Sequence, residues 1–268
     1  VWEVSERDSF LFSDYMSRIR NITGHSGRTY AVGDIHGCAA ELEVLLTALL
    51  QSEQLRPEDL VVFIGDYIDR GPQSKAVIDL LLTFLQSHQR CVYLKGNHED
   101  MLLSYLGLPG RDGMAYLANG GTQCLMSYGL AQGEGPPPSA EETRNAIPKE
   151  HLHFYTNLDS CCILPGYIFA HAGLNPLRDL HLQIDDDLLW IRDEFISNRH
   201  FFGRPVVFGH TPYEDVLFNL PYKIGIDTGC VYGNKLTAIE VKERRILQVS
   251  AGAKKVIIRD FPSDQAPG

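Results

Sequence analysis

Six oxygen- and imidazole-bearing side chains recur at one kind of place in this chain. Tyr30-Ala31-Val32 runs into Gly33-Asp34-Ile35-His36-Gly37, and Val61-Val62-Phe63-Ile64 into Gly65-Asp66-Tyr67-Ile68-Asp69-Arg70-Gly71. Cys91-Val92-Tyr93-Leu94 leads into Lys95-Gly96-Asn97-His98-Glu99-Asp100. Tyr167-Ile168-Phe169-Ala170 leads into His171-Ala172-Gly173, and Val206-Val207-Phe208 into Gly209-His210-Thr211. A short apolar run ending in a polar loop reads as a buried strand. Residues just past the carboxyl ends of such strands lie where open α/β sheets place their ligands. Asp34, His36, Asp66, Asn97, His171 and His210 are therefore a candidate donor set, with no thiolate among them. Oxygen and imidazole donors suit Mn²⁺, Fe or Zn²⁺, with Mg²⁺ possible where oxygen dominates. Six donors exceed the needs of one open catalytic ion. Two ions sharing a carboxylate fit better, and such pairs sit roughly 3.5–4 Å apart. Any one of these residues alone would read as a capping Asp or a satisfied core His; five loops of one grammar favour convergence.

The elements that must position them follow from periodicity. In Cys38 to Gln51, Leu42, Leu45, Leu46, Leu49 and Leu50 mark one apolar helical face. Ser74 can cap a second helix carrying Val77, Leu80, Leu81, Phe84 and Leu85. Strand, helix, strand, helix, strand is a βαβ series and predicts a parallel sheet with helices on its faces. A helix should leave the third loop over Glu99 to Leu106. Residues 107–160 read as a mostly helical and loop insertion, with Pro136-Pro137-Pro138 an exposed connector and a helix from Pro148 to Leu158. Cys161–Leu164 and Tyr167–Ala170 read as a hairpin. Asp185-Asp186-Asp187 reads as a helix start that favours the dipole. Lys235–Val241 and Arg245–Ala251 read as an antiparallel hairpin, which suggests a second sheet packed on the first. Phe10, Leu11, Phe12, Tyr15 and Ile19 form either a short amphipathic helix or a flexible lead, and the tail from Phe261 reads as frayed. No linker or repeat is visible, so one domain over residues 1–268, with a core of about 28–250, is expected.

Composition bounds the rest. The 268 residues, 44% hydrophobic and 22% charged, can bury a full core. The formal net charge of -10 argues against duplex nucleic acid as a partner, although metal ions would reset the local sign for a phosphorylated substrate. No apolar run approaches the ~20 residues of a membrane helix, and no secretory signal is legible. The six cysteines form no C-x-x-C and no framework, so reduced thiols in a cytoplasmic, by default monomeric, protein are expected.

The loops at Gly33–Gly37, Gly65–Gly71 and Gly96–Glu99, with His171-Ala172-Gly173 and Gly209-His210-Thr211, resemble the signature of the PPP-type serine/threonine phosphatases of the calcineurin-like metallophosphoesterase superfamily. The resemblance runs from about Arg28 to Val241. It implies a four-layer α-β-β-α sandwich of two mixed sheets and two divalent ions per chain, Mn²⁺ foremost. It implies that Asp34, His36 and Asp66 hold the first ion and that Asp66 bridges to a second held by Asn97, His171 and His210. A hydroxide between the ions would be the nucleophile. Arg70 would grip the phosphoryl oxygens, and His98, oriented by Asp69, would protonate the leaving alkoxide. Arg192 resembles the second phosphate-gripping arginine of bacterial and phage members, with a surface helix cation as the plain alternative. Asp227 would either orient His210 or close a turn, and Glu99 reads as a structural cap.

Pro212 stands where many metallophosphoesterases carry a second histidine, G-H-x-H, and the late S-A-P-N-Y motif of the eukaryotic phosphatases is missing. The first departure is how the PPP branch looks and argues against the nuclease and cyclic-nucleotide diesterase branches; the second points to the bacterial or phage branch. Asp69 and Glu99 are not what related tetraphosphate hydrolases typically carry. The expectation is thus a phosphatase of phosphoserine and phosphothreonine in proteins. Symmetrical hydrolysis of dinucleoside tetraphosphates and a broad phosphomonoesterase are the alternatives.

Overall fold

The computed structural model describes residues 17–130 and 136–262. In chain order the elements are β1 (Ile19–Asn21), β2 (Thr29–Val32), α1 (Ala39–Gln51), β3 (Leu60–Phe63), α2 (Ser74–Ser87), β4 (Cys91–Tyr93) and α3 (Asn97–Tyr105). Next come α4 (Gly121–Ser127), α5 (Ala140–Ala146), α6 (Lys149–Thr156), β5 (Cys161–Ile163), β6 (Ile168–Ala170), α7 (Asp185–Trp190) and α8 (Asp193–Ile196). The chain closes with β7 (Val206–Phe208), β8 (Leu217–Asn219), β9 (Lys223–Gly225), β10 (Lys235–Glu240), β11 (Arg245–Ser250) and β12 (Ile257–Asp260).

These strands make two mixed sheets, ordered β12-β11-β10-β2-β3-β4 and β1-β5-β6-β7-β9-β8. The parallel β2-β3-β4 series is the one the βαβ spacing predicts. Side-chain alternation explains why its strands are apolar throughout. Tyr30, Val32, Val61 and Phe63 point to one face and pack with Leu42, Leu45 and Leu49 of α1 and Val77, Leu81 and Phe84 of α2. Ala31, Val62, Ile64 and Val92 point to the other and meet Cys162, Phe169, Val207 and Ile224 of the second sheet. The far face of that sheet carries Ile163, Ile168, Val206 and Phe208 against Leu188, Leu189 and Phe195 of α7 and α8. Helices, sheet, sheet, helices are the four layers expected. Phe63, fully buried and stacked 5.0 Å from Tyr93, anchors the first helix-covered face. Its loss would cost about 3–5 kcal/mol.

Three expectations need correction. The β10–β11 hairpin does not start a second sheet. Ala238 pairs with Val32 and Ile239 with Ala31, so the hairpin extends the first sheet across the free edge of β2. The second sheet is built instead around the β5–β6 hairpin and β7. At the N-terminus, Phe10, Leu11, Phe12 and Tyr15 lie outside the described residues, while Ile19 opens a strand paired in parallel with β5 rather than a helix. At the other end Phe261 is not frayed: it is buried and packs 4.7 Å from Phe218. Among the described residues no helix is long and apolar enough to cross a membrane.

Candidate metal centre

The five polar loops meet at one end of the paired sheets. Their backbones are bent hard. His36 (φ 45°), Asp66 (52°), Asp69 (71°), Arg70 (65°) and His210 (63°) all adopt the left-handed region. Each such residue costs on the order of 1–3 kcal/mol and persists only where its surroundings enforce it. Glu99, fully buried at the start of α3, does much of the enforcing. Its carboxylate accepts the main-chain N–H groups of Gly96 and Asp66, both at 2.9 Å, and of Tyr67 at 2.8 Å. It is the structural cap the sequence suggests. Gly96 admits no side chain there, since a Cβ would come 2.1 Å from Asp66 Oδ1.

Asp66 is the centre of the arrangement. Among the described residues it belongs to two trios whose donor atoms all lie within 4.8 Å of one another, His36–Asp66–His98 and Asp66–His171–His210. His36 donates its Nδ1–H to Ile68 O at 2.8 Å, and His171 donates its Nδ1–H to Ile64 O at 2.9 Å. Those bonds turn each Nε2 lone pair inward, at 3.3 Å from Asp66 Oδ2 and 3.4 Å from Asp66 Oδ1 respectively. At His171 lone pair faces lone pair, an arrangement that a cation resolves; at His36 the Arg70 guanidinium meets the nitrogen. Asn97 Oδ1 lies 3.1 Å from His171 Nε2 and 2.9 Å from His210 Nδ1. Burial holds the His171 and His210 imidazoles below their ordinary pKa, so both are neutral donors.

Buried polar atoms without partners point the same way. Asp34 Oδ1, His98 Nε2 and His210 Nε2 are all buried and unbonded. Asp34 belongs to neither trio; its Oδ2 accepts the His210 N–H at 3.0 Å. Burial, with Asp227 and Asp66 nearby, holds its carboxyl well above the usual range. Added positive charge would favour the ionised form of Asp34 beside Asp66. The residues present therefore fit a pair of divalent ions. Asp227 does not reach His210 through any described hydrogen bond. Its Oδ1 accepts the Gly229 N–H at 2.9 Å, so the turn reading holds.

Of the phosphate-handling candidates, His98 belongs to the first trio, and Arg70 and Arg192 lie beside the trios. His98 Nδ1 bonds Asp69 Oδ2 at 2.7 Å, both residues fully buried. Burial pulls the His98 pKa down, but Asp66 and Asp69 outweigh it and hold it above its ordinary value. Arg70 Nη1 donates to His36 Nε2, and the Arg70 guanidinium carbon lies 5.8 Å from the ring centroid of the exposed Tyr232. Arg192, exposed between α7 and α8, donates to Thr211 Oγ1 at 3.1 Å, one residue from His210.

Sequence reasoning missed what holds the Asp69–Arg70 corner. Tyr116 OH donates to Asp69 Oδ1 at 3.0 Å, and the Arg70 N–H bonds Gly120 O at 3.1 Å. Both partners come from the 107–160 segment, which no spacing ties to the second loop. Ser74 does not cap α2. Its Oγ accepts the Asp69 N–H at 3.0 Å, and the flanking residue Gln73 makes no side-chain cap.

A metal-ready cluster at the strand ends of a double-sheet sandwich defines a metallophosphoesterase, and residues 27–248 match the calcineurin-like phosphoesterase family, to which this chain belongs. Members of that family use a dinuclear divalent metal centre. The chain is 29% identical to the bis(5'-nucleosyl)-tetraphosphatase PrpE [asymmetrical] of Anoxybacillus flavithermus, over 87% of this chain and 98% of that protein. Among solved structures it resembles a putative diadenosine tetraphosphatase, with TM-score 0.64 and 25% identity over 88% of this chain and 98% of the other. A protein serine/threonine phosphatase from Saccharomyces cerevisiae shares the fold, with TM-score 0.57 at 16% identity over 94% and 86% of the two chains. The similarity to named tetraphosphatases is thus the greater, and the protein-phosphatase expectation finds no support in the sequence match.

Proposed function

We propose that this chain hydrolyses the phosphoanhydride bridge of dinucleoside tetraphosphates, using two divalent ions. The alternative weighed from sequence thereby replaces the main expectation, and the cut is asymmetrical rather than symmetrical. The observation that carries the reading is the near full-length match to a tetraphosphatase of that name.

Asp34, His36 and Asp66 would hold one ion; Asp66, Asn97, His171 and His210 would hold the other. Mn²⁺ suits this oxygen- and imidazole-rich set, with Fe, Zn²⁺ and Mg²⁺ as competitors. Bound there, the ions supply an acidified water near neutral pH and offset phosphate charge. Arg70 and Arg192 lie on two sides of the trios and would fork onto phosphoryl oxygens. His98 would deliver a proton from Nε2 to the departing oxygen, while Asp69 fixes the ring through Nδ1. Tyr232, exposed beside Arg70, offers a ring face on which a nucleobase could stack.

One observation favours a second reading. The buried Asp69–His98 pair suits a poor leaving group such as a serine alkoxide, whereas a departing nucleotide phosphate needs a proton far less. A side-by-side assay separates the readings: diadenosine tetraphosphate, a phosphothreonine peptide and a phosphotyrosine peptide, with products resolved by anion exchange. AMP and ATP in equal amounts are expected. Two ADP would make the cut symmetrical, and turnover of peptide alone would overturn the proposal. His98→Asn should slow an alkyl phosphate by roughly 10²–10⁴-fold and the tetraphosphate far less. Equal slowing would remove His98 as the acid.

A further inference from the structure

A second donor cluster lies outside the centre described above. Cys38, Glu41 and Cys230 place two sulfurs and a carboxylate oxygen within 4.8 Å of one another. Cys38 and Glu41, three residues apart, share one side of the first turn of α1. Cys230 comes from the distant turn after Gly229 and is 4% exposed. Glu41 is already aimed: its Oε1 accepts the Gly252 N–H at 2.7 Å, which leaves Oε2 for another partner. All six cysteines are free thiols, and among the described residues this is the only group of metal-capable side chains that contains sulfur.

From this convergence we infer a third metal site, Cys38–Glu41–Cys230, that takes a thiophilic divalent cation, Zn²⁺ first, with solvent completing a tetrahedral shell. Two thiolates and one carboxylate match the donors zinc accepts, and they discriminate against Mg²⁺ and Mn²⁺. On binding, each thiol releases its proton to solvent and its sulfur donates an electron pair; nothing is oxidised or reduced. The inference does not depend on the substrate assignment, because no residue of the trios contributes. Its place in the fold gives it a consequence. An ion here ties the start of α1, two residues beyond His36, to the turn whose Tyr232 lies over Arg70. Zinc occupancy would then stiffen the wall of the centre without entering it.

Sulfur makes the site spectroscopically separable, since the other donors are oxygen and nitrogen. Metal-free protein titrated with Cd²⁺ should develop the ultraviolet thiolate-to-cadmium charge-transfer band, saturating at one sulfur-bound ion per chain. The double variant Cys38→Ser/Cys230→Ser should lose the band and bind one ion fewer by elemental analysis. Glu41→Gln should keep the band and weaken binding by at least about tenfold. A cadmium-loaded wild-type protein without the band, or an undiminished band in the double variant, overturns the inference. Wild-type protein alone supplies a second test should the double variant fail to fold. Zn²⁺ should shield the half-buried Cys38 from alkylation while the rate at Cys91, also half-buried, is unchanged. Equal alkylation of Cys38 with and without Zn²⁺ likewise overturns it.

Discussion

Strands β2 and β3 carry buried carboxylates at both ends, and the two ends treat them in opposite ways. At the amino ends Asp59 accepts Arg28 Nη2 at 2.7 Å, Arg28 Nε at 3.0 Å and Arg56 Nη2 at 3.1 Å. Beside it Glu53 receives Tyr30 OH at 2.9 Å and Arg245 Nη1 at 3.1 Å. Each negative charge is met by a guanidinium. At the carboxyl ends Asp66 faces imidazole nitrogens and burdens the nearby Asp34 with its charge, with Arg70 close by as a partial offset. The backbone follows the same division, since five of the eight non-glycine residues at positive φ among the described residues lie in the site loops. One end is internally neutralised and stabilises the fold. The other is left in deficit of positive charge, at a cost to stability that bound cations would offset.

Asp66→Asn should break that comparison most severely. Removing the shared carboxylate should lower turnover on the order of a thousandfold, as loss of a major electrostatic element does. Ion stoichiometry by elemental analysis should fall with it. The metal-free variant should melt no lower than the metal-free wild type, because one of the charges that hold the Asp34 carboxyl above its usual range is removed. A large drop in melting temperature without metal would mean that Asp66 is structural. Asp59→Asn should do the reverse. Its side chain is fully buried and that of Arg28 is 11% exposed, so the change strands a buried cation and should cost roughly 3–5 kcal/mol in urea unfolding. Turnover by the folded fraction should be unchanged. Burial would raise the Asp59 carboxyl, but the bonds from Arg28 and Arg56 outweigh it and hold its pKa well below the usual range. The stability it contributes is therefore complete above about pH 4 and is lost as pH falls towards the folded pKa. The gap between wild type and Asp59→Asn should narrow on acidification; a constant gap would refute the ion pair as its cause.

This division also explains what is legible in the sequence. The donor loops are legible because a strand buried on both faces must be apolar throughout, so any Asp or His at its end stands out. The helices over Leu42–Leu49 and Val77–Phe84 are legible through their period. Sheet membership of the 235–251 hairpin is not, because alternation reveals two faces but not which edge a strand will cover. Tyr116 and Gly120 are invisible as supports for Asp69 and Arg70, since their contacts cross from an insertion with no spacing of its own. Ser74 misleads because a hydroxyl before an apolar periodic run looks like a cap whether or not its oxygen serves another backbone. Motif residues set the reaction class. The substrate is not legible in them, and there the similarity to full-length relatives weighs against the preference drawn from Asp69 and Glu99.

Tyr232 offers the smallest effect and the sharpest use of the rim. The residue is 63% exposed, and its ring lies 5.8 Å from the Arg70 guanidinium. Stacking a base on an aromatic face is worth about 1–3 kcal/mol, and an exposed face should give the lower figure. Tyr232→Ala should therefore raise KM for diadenosine tetraphosphate by roughly fivefold, which is about 1 kcal/mol, while kcat/KM for an aryl phosphate with no base stays unchanged. Tyr232→Phe should behave as wild type on both substrates, because the ring face is retained. Equal losses on the two substrates would instead mean that the ring acts by steadying Arg70. The rim would then belong to the charge-deficient end of the molecule as support for its phosphate grip, not as a reader of nucleosides.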